Sequence, residues 1–131
     1  MAKKTPATPR ILLVEDAEEI SSLLEYLLKR AGFTVAIARD GKQAVEYIAR
    51  EAPVDLAILD ILLPYFSGFD LVEKIRHSDT WKAVPIVMLT AKAQEKDIVR
   101  ALEMGANDYI LKPFQPNEVI ARLRRFLRSP V

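Results

Sequence analysis

Five short apolar runs, each followed by a segment of helical periodicity, most constrain what this 131-residue chain can fold into. The runs are Ile11-Leu12-Leu13-Val14, Thr34 to Ala38, Leu56 to Asp60, Pro85 to Thr90 and Tyr109-Ile110-Leu111. Continuous apolar runs this short read as strands covered on both faces. Between them, apolar residues recur at helical spacing: Ile20, Leu23, Leu24, Leu27, Leu28 and Ala31, then Ala44, Val45 and Ile48. The third, fourth and fifth stripes are Leu71, Val72 and Ile75, then Ile98, Ala101 and Leu102, then Val119, Ile120, Leu123 and Phe126. The later helices are predicted over Gly68–His77, Gln94–Met104 and Pro116–Leu127, and Gly32, Pro53 and Gly105 act as stops. Strand–helix alternation repeated five times implies α/β architecture: a doubly wound parallel sheet with right-handed crossovers and helices on both faces. Residues 10–128 are predicted to form one domain, 1–9 a disordered lead-in, and 129–131 a tail or the start of a linker.

Composition excludes several chemistries. The chain has no cysteine, which removes disulfides, thiolate metal sites and thiol nucleophiles. Its one histidine, His77, argues against an imidazole-rich zinc site. A net charge of +1 gives no global field to recruit nucleic acid or an anionic membrane. No apolar run approaches the roughly 20 residues needed to span a bilayer, and no apolar segment follows Lys3-Lys4 to make a signal peptide. A cytoplasmic location is expected.

Asp60 interrupts the apolar run Ile58-Leu59-Asp60-Ile61-Leu62-Leu63. Burying an unpaired carboxylate costs several kcal/mol, roughly, so Asp60 is predicted to lie outside the core. It should sit where the strand emerges, with a cation nearby. Strands of a parallel sheet point one way, so their carboxyl ends share a rim, where open α/β sheets place their chemistry. That rim should gather Glu15-Asp16, Asp60, Thr90 and Lys112. Three close acids invite a hard divalent cation such as Mg²⁺. A lysine and a hydroxyl beside them suit a phosphoryl group, and phosphoryl transfer to a carboxylate is the chemistry this set favours.

Each residue taken singly has a plainer reading. Asp16 with Glu19 fits a helix capping pattern. Glu15 reads as a solvated loop residue, Thr90 as a strand end or cap, Lys112 as a surface lysine, and Asp40-Gly41 as a cap or turn. The conjunction on four strand ends is what favours a site.

At these positions the chain resembles the receiver domains of two-component response regulators, of the chemotaxis-regulator type, from about Ile11 to Leu127. The resemblance rests on Glu15-Asp16, on Asp60 with Pro64 and Gly68, on Leu89-Thr90-Ala91 and on Lys112-Pro113-Phe114. It implies a flavodoxin-like five-stranded parallel sheet of order 2-1-3-4-5 with five helices. It further implies that Asp60 is the phosphoacceptor, that Asp16 binds Mg²⁺ directly and Glu15 through water, and that the Leu62 backbone carbonyl is a further metal ligand. Thr90 and Lys112 are then the pair that grips the phosphoryl oxygens, Tyr109 is the aromatic switch residue, Ala91 leaves room for the phosphoryl group, and the Lys112-Pro113 bond is cis. Leu62 and Lys92 occupy positions that tune phosphoryl lifetime. The implied partner is a sensor histidine kinase or phosphotransfer protein that reads the first helix, and the chain catalyses only its own phosphorylation and dephosphorylation.

The resemblance also implies an output surface on the fourth helix, fifth strand and fifth helix. Lys96, Asp97, Arg100, Glu103, Asp108, Glu118, Arg122 and Arg125 fall there, as an ordinary solvated face or as a salt-bridged homodimer contact like that of winged-helix regulators. Arg122, Arg124, Arg125 and Arg128 lack stacking aromatics, so direct nucleic-acid binding by this chain alone is not expected. Three competing functions remain. A haloacid-dehalogenase-like phosphatase needs a second acid where Leu62 stands. A flavin carrier needs a glycine- and hydroxyl-rich phosphate loop where Glu15-Asp16-Ala17-Glu18-Glu19 stands. A phosphorylation-independent docking module on the same fold is the alternative that the site residues least exclude.

Overall fold

The computed structural model describes residues 8–91 and 95–127. Strands β1 (Arg10–Val14), β2 (Thr34–Ala38), β3 (Leu56–Asp60), β4 (Ile86–Ala91) and β5 (Asp108–Lys112) alternate with helices α1 (Glu18–Arg30), α2 (Gly41–Arg50), α3 (Gly68–Arg76), α4 (Glu95–Met104) and α5 (Pro116–Arg124). All pairings are parallel, and the sheet order is β2-β1-β3-β4-β5, the flavodoxin-like order.

Period-two side-chain alternation divides the strands between two cores. Leu12, Val14, Ala57, Leu59, Ile86 and Met88 join Ala44 and Ile48 of α2, Leu71, Val72 and Ile75 of α3, and Ala101 of α4. Ile11, Leu13, Leu56, Ile58, Val87 and Leu89 join Leu24 and Leu28 of α1 and Val119 and Leu123 of α5. Three helices thus cover one face and two the other. This explains why β1, β3 and β4 read as unbroken apolar runs. Helices α1 and α4 stop where Gly32 (φ +100°) and Gly105 (φ +121°) take up left-handed conformations that a side chain would oppose.

Two helical stripes are narrower than the sequence predicts. Leu23 of α1 is exposed, while Ser21 is buried in its place. Leu102 of α4 is also exposed, and Ala101 is that helix's only buried residue. Each is an end helix on its face of an edge-limited sheet, so the sheet covers only part of the apolar arc. Helix α5 ends at Arg124 in a turn, three residues short of the predicted end. Lys92 and Gln94, and Arg128 of the arginine group, lie outside the described residues, as do 1–7 of the predicted lead-in and 129–131.

The loop after β3 is tightly built. Ile61 donates to Leu89 O, Gly68 donates back to Ile61 O, and Phe66 donates to Pro64 O across a three-residue turn centred on Tyr65. Tyr65 has φ +72°, the positive-φ γ-turn geometry, which is strained for a side chain. Its ring is exposed, so little burial offsets the strain. Tyr65→Gly is expected to hold stability or raise it by up to about 1 kcal/mol, and Tyr65→Val to lower it by about 1–2 kcal/mol, because only glycine tolerates positive φ freely. Urea midpoints at unchanged slope measure the difference.

Candidate functional site

Strand register assembles the site. Val14 pairs with Leu59, so Glu15 follows β1 beside the end of β3, where Asp60 stands. Asp60 pairs with Leu89, so Thr90 emerges one residue beyond it on β4. Ala91 pairs with Lys112, which completes the row on β5. Glu15, Asp16 and Asp60 can each turn a carboxylate oxygen to within 4.8 Å of the others.

Two carboxylates lie deeper than the sequence predicts. Asp60 is 5% exposed and Glu15 is fully buried, so Asp60 is inside the protein and Glu15 is no solvated loop residue. Lys112 explains how both are tolerated. Its Nζ lies 3.2 Å from Asp60 Oδ2 and 3.2 Å from Glu15 Oε1. It donates a hydrogen bond to Asp60. Glu15 Oε2 accepts from the Ala17 amide at 3.0 Å, whereas Glu15 Oε1 has the lysine's charge nearby but no hydrogen bond. Lys112 is therefore an internal counter-ion and not a free surface lysine.

Asp16 does not cap α1. The N-cap is Ala17, with no side-chain cap, and Asp16 is exposed. Its carboxylate is left available at the rim. Asp40, by contrast, is the expected cap, accepting from the Gln43 amide at 2.8 Å. Thr90 is buried and donates to its neighbour Ala91 O at 3.3 Å, a long local bond that a better acceptor would displace. Leu62 is exposed, and its amide lies 3.4 Å from Asp60 Oδ1. Tyr109 is half-buried one strand away, with the Arg122 guanidinium 6.0 Å from its ring centroid. The Lys112-Pro113 bond is cis.

The electrostatics favour a divalent cation. Burial, and to a lesser degree Asp60, push the Glu15 carboxyl from 4.5 up to about 7, against the Ala17 amide and Lys112, which pull it down. Burial lowers Lys112, but Asp60 and Glu15 outweigh it and the ammonium ends above its ordinary value. With all three acids ionised, the Lys112 ammonium leaves an excess of two negative charges, and one buried carboxylate oxygen lacks a hydrogen bond. All-oxygen donors of this charge fit Mg²⁺.

The charges read as a solvated output face are partly internal. Asp108 is buried and accepts from Arg122 at 3.2 Å and from Arg125 at 3.4 Å, and Arg122 also pairs with Glu118. Beside them Val99, Leu102 and Leu111 are exposed. Sequence reasoning missed Arg76, whose guanidinium donates to the carbonyls of Lys82, Val84 and Gly105 and ties the end of α3 to the end of α4. It also missed the close approach of Gly41 to the loop after β3. Neither leaves a mark in periodicity.

Comparison with known proteins agrees with this geometry. The family model for the response regulator receiver domain matches residues 11–124. The regulatory protein VanRc of Enterococcus gallinarum is 43% identical over 119 residues, covering 91% of this chain and 50% of that protein. The transcriptional regulatory protein CpxR of Escherichia coli K12 is 42% identical over 119 residues, covering 91% of this chain and 49% of that protein. The chain thus spans about half the length of these curated relatives. Among solved structures, the receiver domain of the sensor histidine kinase PA1611 of Pseudomonas aeruginosa PAO1 superposes with TM-score 0.83 at 36% identity, covering 92% of this chain and 98% of that one. That structure carries a magnesium ion coordinated in its active-site cleft.

A raised carboxyl pKa fixes the sign of a pH effect. The folded chain holds the Glu15 proton more tightly than the unfolded chain, so the stabilisation is present at low pH and lost as pH climbs from 4.5 through about 7. Glu15→Gln should remove that component and stabilise the metal-free protein at about pH 8 by roughly 1–2 kcal/mol, with little effect at about pH 5. Urea unfolding at the two pH values checks this. A cation held by these acids would have to displace the same proton, so the apparent affinity of the wild type for Mg²⁺ is expected to rise by up to about tenfold per pH unit below neutrality and level off above it.

Proposed function

The chain belongs to the response regulator receiver domain family, and from that premise we propose that Asp60 accepts a phosphoryl group from the phosphohistidine of a sensor histidine kinase or phosphotransfer protein. The observation that carries this reading is the single ammonium of Lys112 shared between two buried carboxylates, 3.2 Å from each. An Asp60 oxygen attacks phosphorus, the phosphorus–nitrogen bond breaks, and the imidazole leaves with its electron pair. Lys112, already beside Asp60, takes up a phosphoryl oxygen. The Thr90 hydroxyl exchanges its long bond to Ala91 O for another. Glu15, Asp16, Asp60 and the Leu62 carbonyl would hold Mg²⁺, which when bound spreads the negative charge of the transferred group. The chain on this reading is a signalling domain that catalyses only its own phosphorylation and dephosphorylation, with Leu62 and Lys92 setting phosphoryl lifetime.

The donor's docking face is the exposed part of α1. Leu23 and Tyr26 stand out from it, and a hollow lined by Ile20, Leu23, Lys112, Pro113 and Phe114 adjoins the site. The receiver unit is taken as residues 10–128 and its setting as the cytoplasm. Among the described residues no helix is long and apolar enough to cross a membrane.

Output follows from Thr90. Its movement toward the phosphoryl group vacates space that Tyr109 can enter, and Arg122 above the ring responds, which alters the α4–β5–α5 face. Exposed Val99, Leu102 and Leu111 support a homodimer through that face. The ion pairs of Asp108 with Arg122 and Arg125 lie within one chain, so apolar contact supplies much of the association.

Incubation with acetyl phosphate and Mg²⁺ is expected to add one phosphoryl mass to the wild type and none to Asp60→Asn. Equal addition to both would displace Asp60 as the acceptor. Sedimentation with beryllofluoride should show a shift from monomer toward dimer, and Leu102→Glu should weaken it by about tenfold or more, since it places a charge in an apolar contact. A beryllofluoride-loaded protein that stays monomeric at high concentration would remove the dimer.

A further inference from the structure

The loop after β3 carries the Leu62 carbonyl, and its anchors are distributed unevenly. On the strand side Ile61 is fixed by Leu89 O and by the Gly68 amide at 2.8 Å. A Cβ on Gly68 would stand 2.8 Å from Ile61 Cα, so helix α3 begins directly against the strand end. On the far side the anchor is Pro64 O. It accepts the Phe66 amide at 2.9 Å within the strained turn and the Gly41 amide at 3.0 Å from the start of α2. Only Leu62 and Leu63 lie between the two anchors.

Gly41 is buried, and its Cα fits against the backbone of Phe66. A Cβ there would stand 2.7 Å from Phe66 N, 2.6 Å from Phe66 Cβ and closer still to Phe66 O. Two of these three atoms are backbone, so a side chain at 41 moves the turn and not merely a ring. The strained φ of Tyr65 persists because this contact and the shared Pro64 acceptor over-determine it.

We propose that Gly41 is a positioning residue for the metal site: its missing side chain and its amide hold the Pro64–Phe66 turn where the Leu62 carbonyl faces the acidic cluster. The proposal rests on the reading of Leu62 as a metal ligand given above. Mg²⁺ tolerates little departure from octahedral geometry at about 2.0–2.1 Å, so displacement of one of its few protein ligands is felt as lost affinity. Groups that orient a ligand without touching the metal commonly change affinity by about 10–100-fold.

Calorimetric titration of Mg²⁺ into wild type, Gly41→Ala, Ala44→Gly and Asp16→Asn, with urea midpoints for each, tests this. Ala44→Gly weakens the same helix from within but leaves the Gly41 amide bond to Pro64 O and the Gly41–Phe66 backbone contact as they are. Gly41→Ala is expected to raise the Mg²⁺ dissociation constant by about tenfold or more, and Ala44→Gly to change it less than about twofold at a comparable loss of stability. The acetyl phosphate reaction of Gly41→Ala should recover at saturating Mg²⁺, as a positioning role requires. An unchanged dissociation constant in Gly41→Ala, or an equal loss in Ala44→Gly, overturns the proposal while leaving the metal site intact. Wild-type protein that binds no Mg²⁺, or Asp16→Asn that binds as tightly, overturns the metal reading and the proposal with it. Should Gly41→Ala fail to fold, amide exchange in the wild type decides. Mg²⁺ is expected to slow exchange at the Gly41 and Phe66 amides more than at Ala44, and unchanged protection at both overturns the proposal.

Discussion

Glu15 and Asp60 are buried side by side at the carboxyl rim of the sheet, and among the described residues Lys112 is the one ammonium between them. Two ionised carboxylates in that position would repel each other and lose their hydration, a combination that ordinarily forces one to bind a proton. One of them does move that way, since Glu15 is pushed up to about 7. The lysine prevents the fuller collapse of the site into a neutral, protonated pair. It is itself held by the strand that ends there, so sheet order becomes an electrostatic requirement. The acids come from β1 and β3 and the ammonium from β5, with β4 between β3 and β5. Lys112 must therefore reach across the end of β4, where Thr90 and Ala91 lie.

The residual negative charge makes the site a receiver for cations and for charge-neutralised phosphoryl groups. Without a metal, a phosphoryl group approaching Asp60 would meet Glu15 and Asp16 as repulsive neighbours. With the acids neutralised, the proposed reading would have Lys112, now paired with Asp60 and Glu15, and the Thr90 hydroxyl, now bonded to Ala91 O, turn to its oxygens. On that reading metal occupancy and phosphoryl acceptance would be linked by Coulomb's law, the more strongly because Glu15 and Asp60 are buried. The phosphatase alternative lacks its second acid at Leu62, which is exposed and apolar at the rim. The flavin alternative asks a phosphate to sit beside the same acids that repel it.

The strands and the identity of the rim residues were legible because they rest on local signals, whereas the strand order came from the family resemblance. Short apolar runs mark doubly covered strands, and strand ends mark the rim. Depth was not legible. Asp60 was expected at its strand end with a cation nearby, as it is, but outside the core because an unpaired buried acid is costly; it lies deeper because Lys112, 52 residues on, pairs with it. Capping by Asp16 was a fair local expectation that the chain declined, since the N-cap falls one residue later, at Ala17. Leu23 and Leu102 satisfy helical periodicity but fall at the margins of their packed arcs, and periodicity does not say how wide an arc the sheet will cover. The backbone contacts of Gly41 and Arg76 are tertiary, and single-sequence patterns carry no trace of them.

Helix α4 is the element through which these features would combine into the proposed response. It buries only Ala101 completely, and its C-terminal end is tied down by Arg76, which donates to Gly105 O through both Nε and Nη2. Midway, Arg100 lies 4.1 Å from the centre of the Phe69 ring of α3. A helix with one buried residue, a fixed end and one cation–π contact has little apolar packing to oppose displacement of the remainder. Its neighbour β5 carries both Lys112 at the site and Tyr109 under Arg122, so changes at the rim and changes at this face share one strand. The sheet's other flank is different: α1 and α5 bury Leu24, Leu28, Val119 and Leu123 in one continuous core. On the proposed reading, free energy released at Asp60 would be expressed where the restoring packing is weakest, on the α4 side, while the α1 face would keep its shape for the phosphoryl donor.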